Sequence, residues 1–202
     1  FFMNGINTGM VTTPDIQHRG LQHASQNEQW ENTTARYEIE EQDFIGQFTF
    51  HKVEAWIGNV VGMTSTGTKN GDDFRKLLFR SIDHECVRGM YYRFDNNYWI
   101  GDFTDEYDSV QKSMSVRRCN NVLRCVDPEN GAIFSIPCVV DYDMTSPSQQ
   151  VSRYIITPNN AAHIMVQGNA DTYRLFKLNT RFMLGGRPFK LLAYQNAMMP
   201  DM

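Results

Sequence analysis

The chain has 202 residues, of which 41% are hydrophobic and 21% charged; this suffices for one domain with a real core and excludes a wholly disordered protein. Its net charge of −4 and pI near 5.7 argue against a protein whose main work is gripping phosphates, because such proteins present a basic face. There is no run of about 18 apolar residues, and the opening FFMNGINTGM lacks the basic start and apolar centre of a signal peptide, so a soluble chain is expected.

Residues 1–43 read as a polar arm. The stretch IQHRGLQHASQNEQWENTTARYE is rich in amides, and its apolar residues are too sparse to hold one face of a helix or strand. A short helix within 22–37 fits locally, but such a segment is marginal in water and needs something to pack on. Residues 44–202 read as a single β-rich domain. FIGQFTFHKVEAWIGNVVGM alternates apolar and polar side chains and offers Phe48, Phe50, Val53 and Trp56 to a core. Gly67, Asn70 and Gly71 in TSTGTKNGDD suit a turn. In FRKLLFRSID, the spacing of Phe74, Leu77, Leu78 and Ile82 fits a helical face while the flanking strands favour β, and the sequence leaves both open.

From Gly89 the pattern is plainer. MYYRFDNNYWIGDF is a hairpin with Asn96 and Asn97 at its tip. SVRRCNNVLRCV and AIFSIPCVVDYD are strands joined by a turn at Asp127, Pro128, Asn130 and Gly131. After MTSPSQQ and SRYIITPNNAAHIMVQG, a last hairpin turns at Gly185–Gly186. Many short strands with few helices between them predict a mainly β fold, an antiparallel β-sandwich or barrel with an extended, partly helical N-terminal arm.

Chemistry-bearing residues are sparse. In HEC, His84 lies two residues from Cys86, a spacing that places both on one face of a strand, where an imidazole could activate a thiol. The spacings of Cys86, Cys119, Cys125 and Cys138 fit neither a zinc site nor a disulfide framework, so free, half-buried thiols are expected. His18, His23, His51, His84 and His163 are dispersed. Asp102, Asp105, Glu106 and Asp108 crowd GDFTDEYDS without the spacing of a calcium loop and read as a solvated loop. Gly62–Gly71 lacks the Lys–Ser/Thr ending of a phosphate loop. Arg117, Arg118 and Arg124 near the aromatics of YWIGDF suggest either a single-strand nucleic-acid surface or ion pairs with the acidic loop GDFTDEYDS at a surface or subunit interface. No catalytic, cofactor-binding or metal-ligating residue is assigned. The chain is read as a non-enzyme without a cofactor.

The strings YWIGDF, RRCNNVLRCVDPENGAIFSIPCVV and RFMLGGRPFKLLAYQN resemble the neck proteins of tailed bacteriophages, the head-completion or head-closure (stopper) and adaptor components. The resemblance covers residues 89–196. It implies a virion structural protein, assembled in the host cytoplasm, that forms a homo-oligomeric ring below the portal. Its partners would be a portal or adaptor protein on the head side, tail proteins on the other, and double-stranded DNA passing through the lumen. The arm and the loops TSTGTKNGDD and MTSPSQQ are then the expected contact segments. Two other classes stand beside it. One is a nucleic-acid-binding β-barrel, OB-like, that uses Tyr98, Trp99, Arg117 and Arg118. The other is a cysteine hydrolase that uses Cys86 and His84.

Overall fold

A computed structural model describes residues 36–60, 71–81, 83–107, 111–142 and 162–193, together with helical residues at 21, 24, 25, 27, 28 and 30–32. The fold is mainly β, as expected, and the strands form a closed barrel and a five-stranded sheet. The barrel contains β1 (Arg36–Gln42), β2 (Phe50–Asn59), β3 (Phe74–Phe79), β4 (Tyr91–Phe94), β5 (Asn97–Tyr107) and β6 (Gln111–Arg118), in the order β1-β2-β3-β6-β5-β4. Every pairing is antiparallel, and β4 closes the ring onto β1 through Glu40↔Arg93 and Glu41↔Tyr92. The second sheet contains β7 (Asn121–Val126), β8 (Ile133–Tyr142), β9 (Ala162–Met165), β10 (Arg181–Leu184) and β11 (Arg187–Lys190), in the order β11-β10-β7-β8-β9.

Three sequence expectations are corrected. Residues 36–42, read as the end of the arm, form β1. They escaped notice because the inward positions of this strand are Ile39 and the charged Glu41, so the apolar alternation that marks a strand is broken. In β2 the inward positions are Val53, Ala55 and Ile57, whereas Trp56 faces outward and Phe48 lies exposed in the preceding loop. The stretch SVRRCNNVLRCV, read as one strand, is β6 and β7, split at Cys119–Asn120 where the chain leaves the barrel for the second sheet. There the Asn120 side chain pairs with both backbone groups of Val140, its Nδ2 donating to the carbonyl (3.0 Å) and its Oδ1 accepting from the N–H (2.8 Å).

Turn chemistry set the hairpins. The β4–β5 turn sits one residue earlier than expected, at Asp95 (φ 50°) and Asn96 (φ 58°), both left-handed as a two-residue hairpin turn requires. Gly185 and Gly186, also at positive φ, make the corresponding turn of β10–β11. The stretch FRKLLFRSID contains β3, a barrel strand that puts Leu77 and Phe79 inward, while Phe74 is buried on its other face under the Arg117 guanidinium. The helix Ala170–Leu175 was not foreseen. Asn169 caps it, accepting from the Thr172 N–H at 2.9 Å, while the Thr172 hydroxyl accepts from the Asn169 N–H at 2.8 Å.

Each layer has its own core. Ile39, Leu77, Phe79, Tyr92, Phe94, Trp99, Met114 and Val116 fill the barrel, with Phe94 and Trp99 stacked at 4.6 Å. Leu123, Cys125, Ile136, Val140, Phe182 and Leu184 lie on one face of the second sheet and are covered by Leu175 and Phe176. A third cluster of Tyr91, Ile100 and Val139, with Met165 against it, joins the barrel wall to the other face of that sheet. The Tyr91 hydroxyl donates to the Pro137 carbonyl at 2.6 Å across this junction.

A polar latch lies beside the junction. Gln42 and Gln167 are completely buried; Gln167 Nε2 donates to Gln42 Oε1 (2.6 Å) and to the Gly89 carbonyl (2.7 Å). Gln42 Nε2 donates to the Gln47 carbonyl (2.6 Å), and its Oε1 accepts from the Tyr91 N–H (3.0 Å). The Gly46 N–H donates to Gln167 Oε1 (2.9 Å). The two amides therefore satisfy one another and four backbone groups, which is the condition for burying them without a net cost.

Asp127 anchors the β7–β8 turn. It is buried, and the Glu129 N–H (3.0 Å) and Arg174 Nη1 (2.7 Å) both donate to its Oδ1. First that backbone bond and then Arg174 hold its carboxyl below the usual value of 3.8. A group with a depressed folded pKa stabilises above its unfolded pKa and loses that contribution as pH falls through the folded one. Acid titration followed by circular dichroism is therefore expected to show a less steep loss of stability below about pH 4 in Asp127→Asn than in the parent.

Candidate functional site

The sequence pointed to His84 beside Cys86, and the structure gives His84 another partner. Its Nε2 lies 3.1 Å from Oε1 of Glu41, a carboxylate buried in the barrel, and its ring stacks on Phe79 at 3.8 Å. The other Glu41 oxygen lies 3.6 Å from Nε2 of His51, whose Nδ1 is 2.7 Å from Asp43 Oδ1. Hydrogen bonds from Thr49 and His51 hold the Asp43 carboxyl below its usual value. Tyr92 lies close by, and burial and then the Glu41 charge raise its phenol well above 10. The cluster ties β1, β2 and the loop before β4 together across one end of the barrel. Sequence reading missed it because Glu41, His51 and His84 are far apart in the chain, and only the barrel closure makes them neighbours.

Cys86 is half-buried and packs against the barrel core. None of the four cysteines is in a disulfide, and Cys125 and Cys138 are buried. Burial pushes the Cys138 thiol up to about 11 and raises those of Cys119 and Cys125 as well, opposite to what a nucleophile needs. Alkylation with iodoacetamide followed by peptide mass spectrometry is expected to label Cys125 and Cys138 only after denaturant is added. Labelling of either in the folded protein at neutral pH would contradict this placement.

The aromatic and basic residues of the nucleic-acid reading are largely engaged internally. Trp99 is 3% exposed inside the barrel, so its ring is closed to a base. Arg117 pairs with Asp141 and lies over the Phe74 ring; Arg118 Nε donates to Asp73 at 2.8 Å. Their acidic partners are Asp141 and Asp73, not the GDFTDEYDS acids expected to pair with them. Tyr98 packs edge-on against Tyr91 and Phe50 under the Arg93 guanidinium. Arg124 is set apart on the outer side of β7 and is exposed. Asp102, Asp105 and Glu106, expected in a loop, lie on β5, which runs on past a register shift between Gly101 and Phe103. Among the described residues no group of three or more His, Cys, Asp and Glu is placed to hold a metal ion. The segment 61–70, residue 108 and the loop 144–150 lie outside the described residues, as do residues 1–20 of the arm.

The surface shows where the apolar residues left over from the cores go. On the second sheet, the face that carries Pro137, Val139 and Met165 is covered by the barrel at one side. Towards β7 and β10 the same face holds Val122, Val126, Ile133 and Met183, all exposed. Cross-strand register sets Val126 opposite Ile133 and Val122 opposite Pro137, with Arg124, flanked by Ser135 and Met183, between the two pairs. Phe44, Ile45 and Phe48, in the β1–β2 loop, form a second exposed apolar group.

The YomX C-terminal domain matches residues 94–196, from the last residue of β4 through β11 and thus half of the chain. The chain belongs to the YomX C-terminal domain family. The family is phage-derived, so this is a phage protein. The matched region contains the second sheet whole, the junction residues Ile100 and Val139, and strands β5 and β6 of the barrel. No curated protein and no solved structure matches the chain.

Proposed function

We propose that this protein is a virion structural component of the phage head-to-tail interface, a ring subunit below the portal that contacts head-side and tail-side proteins and surrounds passing DNA. The observation that carries this reading is the half-covered face of the second sheet. The barrel occupies one side of it, and a strip of exposed apolar residues interspersed with basic ones is left on the other, as in a subunit whose remaining surface is completed by a neighbour. Membership in a phage-derived family supports the setting. The internal use of Trp99, Arg117, Arg118 and His84 also favours work by contact rather than by chemistry.

Native mass spectrometry of the purified full chain tests this directly. A closed oligomer of one fixed subunit number is expected. A monomer at every concentration and salt would contradict the ring.

A further inference from the structure

The exposed strip on the second sheet has a chemical character that selects its occupant. Val126 and Ile133 are 62% and 73% exposed. Among them stand Arg124 on β7, Arg181 on β10 and Lys190 on β11; Arg181 opposes Lys190 in register. Arg181 lies two residues from Met183 along β10 and therefore on the same face. Elsewhere Arg36, Lys52, Arg75, Arg80, Arg93, Arg117, Arg118 and Arg174 all have carboxylate partners. Among the described residues Arg124, Arg181 and Lys190 have none. Unpaired cations in an apolar strip call for a surface that is both apolar and acidic.

One such surface lies on the barrel of the same chain. The loop before β4 presents exposed Asp83 and Glu85, and it is tied to β5 by the Gly89 N–H on the Gly101 carbonyl (2.8 Å) and by Arg88 Nε on the Asp102 carbonyl (2.8 Å). Beside Asp102 the ring of Phe103 is 54% exposed, with the Arg88 guanidinium 6.0 Å from its centre. Glu85 and Asp102 have no ion-pair partner among the described residues. Glu85 and Asp102 thus set two carboxylates against the Arg88 guanidinium around an exposed aromatic ring.

We infer that the strip of Val122, Arg124, Val126, Ile133, Met183 and Arg181 of one copy docks on the Glu85–Asp102–Phe103 end of the barrel of the next copy. The two surfaces differ, so the contact is heterologous, and repetition of one such contact closes a ring when the rotation permits. Apolar contact supplies affinity, and the opposite charges fix orientation and register. This inference rests on the ring reading above and specifies its contact.

The test uses three variants of the full chain, with circular dichroism as a check of folding and sedimentation velocity as the readout. Arg124→Glu with Arg181→Glu is expected to abolish the closed species, and so is Glu85→Arg with Asp102→Arg. The variant that combines all four substitutions restores opposite charges and is expected to recover it. A parent ring that survives either double substitution, or is not recovered in the fourfold variant after both doubles break it, overturns this contact and leaves the ring reading standing. A parent chain that is monomeric throughout overturns both.

Discussion

Gln167→Leu is expected to lower the unfolding free energy by about 3–5 kcal/mol, on the basis of about 1–3 kcal/mol for each buried polar group left without a partner. The substitution keeps the side-chain volume roughly constant, so the loss is not that of a cavity. It strands the Gly89 carbonyl and the Gly46 N–H, and it takes from Gln42 its partner amide. For a chain of this size each kcal/mol moves the melting temperature by roughly 2–4 °C, so a drop on the order of 10 °C is expected in a thermal melt. Gln42→Leu should behave similarly, because it frees the Tyr91 N–H and the Gln47 carbonyl. The double variant should cost clearly less than the sum, since groups that satisfy one another are coupled. A loss under about 1 kcal/mol for either single variant, the ordinary range of a surface change, would show that the latch is not closed in solution.

Tyr91→Ala is expected to cost about 3–5 kcal/mol, the usual range for truncating a buried aromatic side chain, and to alter cooperativity as well. Tyr91 is fully buried where the barrel meets the second sheet; it packs with Ile100 and Val139, stacks on Phe48 and donates to the Pro137 carbonyl. The cores of the barrel and of the sheet are otherwise separate clusters. Removing the ring should therefore weaken what makes them unfold together. Calorimetry is expected to show one transition for the parent and two for Tyr91→Ala. Tyr91→Phe keeps the ring, loses only the hydrogen bond, and should remain a single transition about 1–2 kcal/mol less stable. Two transitions already present in the parent would mean that the junction does not couple the layers.

The β character and most turns were legible in the sequence because they depend on local features. Asp127 to Gly131 and Gly185–Gly186 announce their turns through residues that tolerate or require special backbone angles, and β4 and β5 are dense in aromatic residues. What the sequence hid depends on tertiary placement. β1 carries buried Glu41 and Gln42 where a strand pattern expects apolar residues, and only partners on β2, β4 and the loops at 84 and 167 make their burial tolerable. The β6–β7 break at Cys119–Asn120 left no composition signal, because both halves are strand-forming and the bend is secured by Asn120 bonding to a distant strand. The short helix had a signal in Asn169 and Thr172, spaced as a capping pair, but six residues are too few for periodicity to reveal.

The surface strip follows the same rule. Val122, Arg124 and Val126 alternate in β7 with buried Leu123 and Cys125, which reads locally as a strand with both faces partly apolar. That one face stays uncovered becomes evident only once the barrel is seen to reach Pro137 and Val139 and no further among the described residues. The resemblance to neck proteins rested on the same strands that the family match covers.

Electron cryo-microscopy of the assembled phage particle, focused on the neck, would image the ring and its subunit contacts themselves. A ring of this protein is expected below the portal, in which the outer face of each second sheet meets the Phe103 end of the neighbouring barrel. A neck without this protein, or copies there that make no contact with one another, would contradict it.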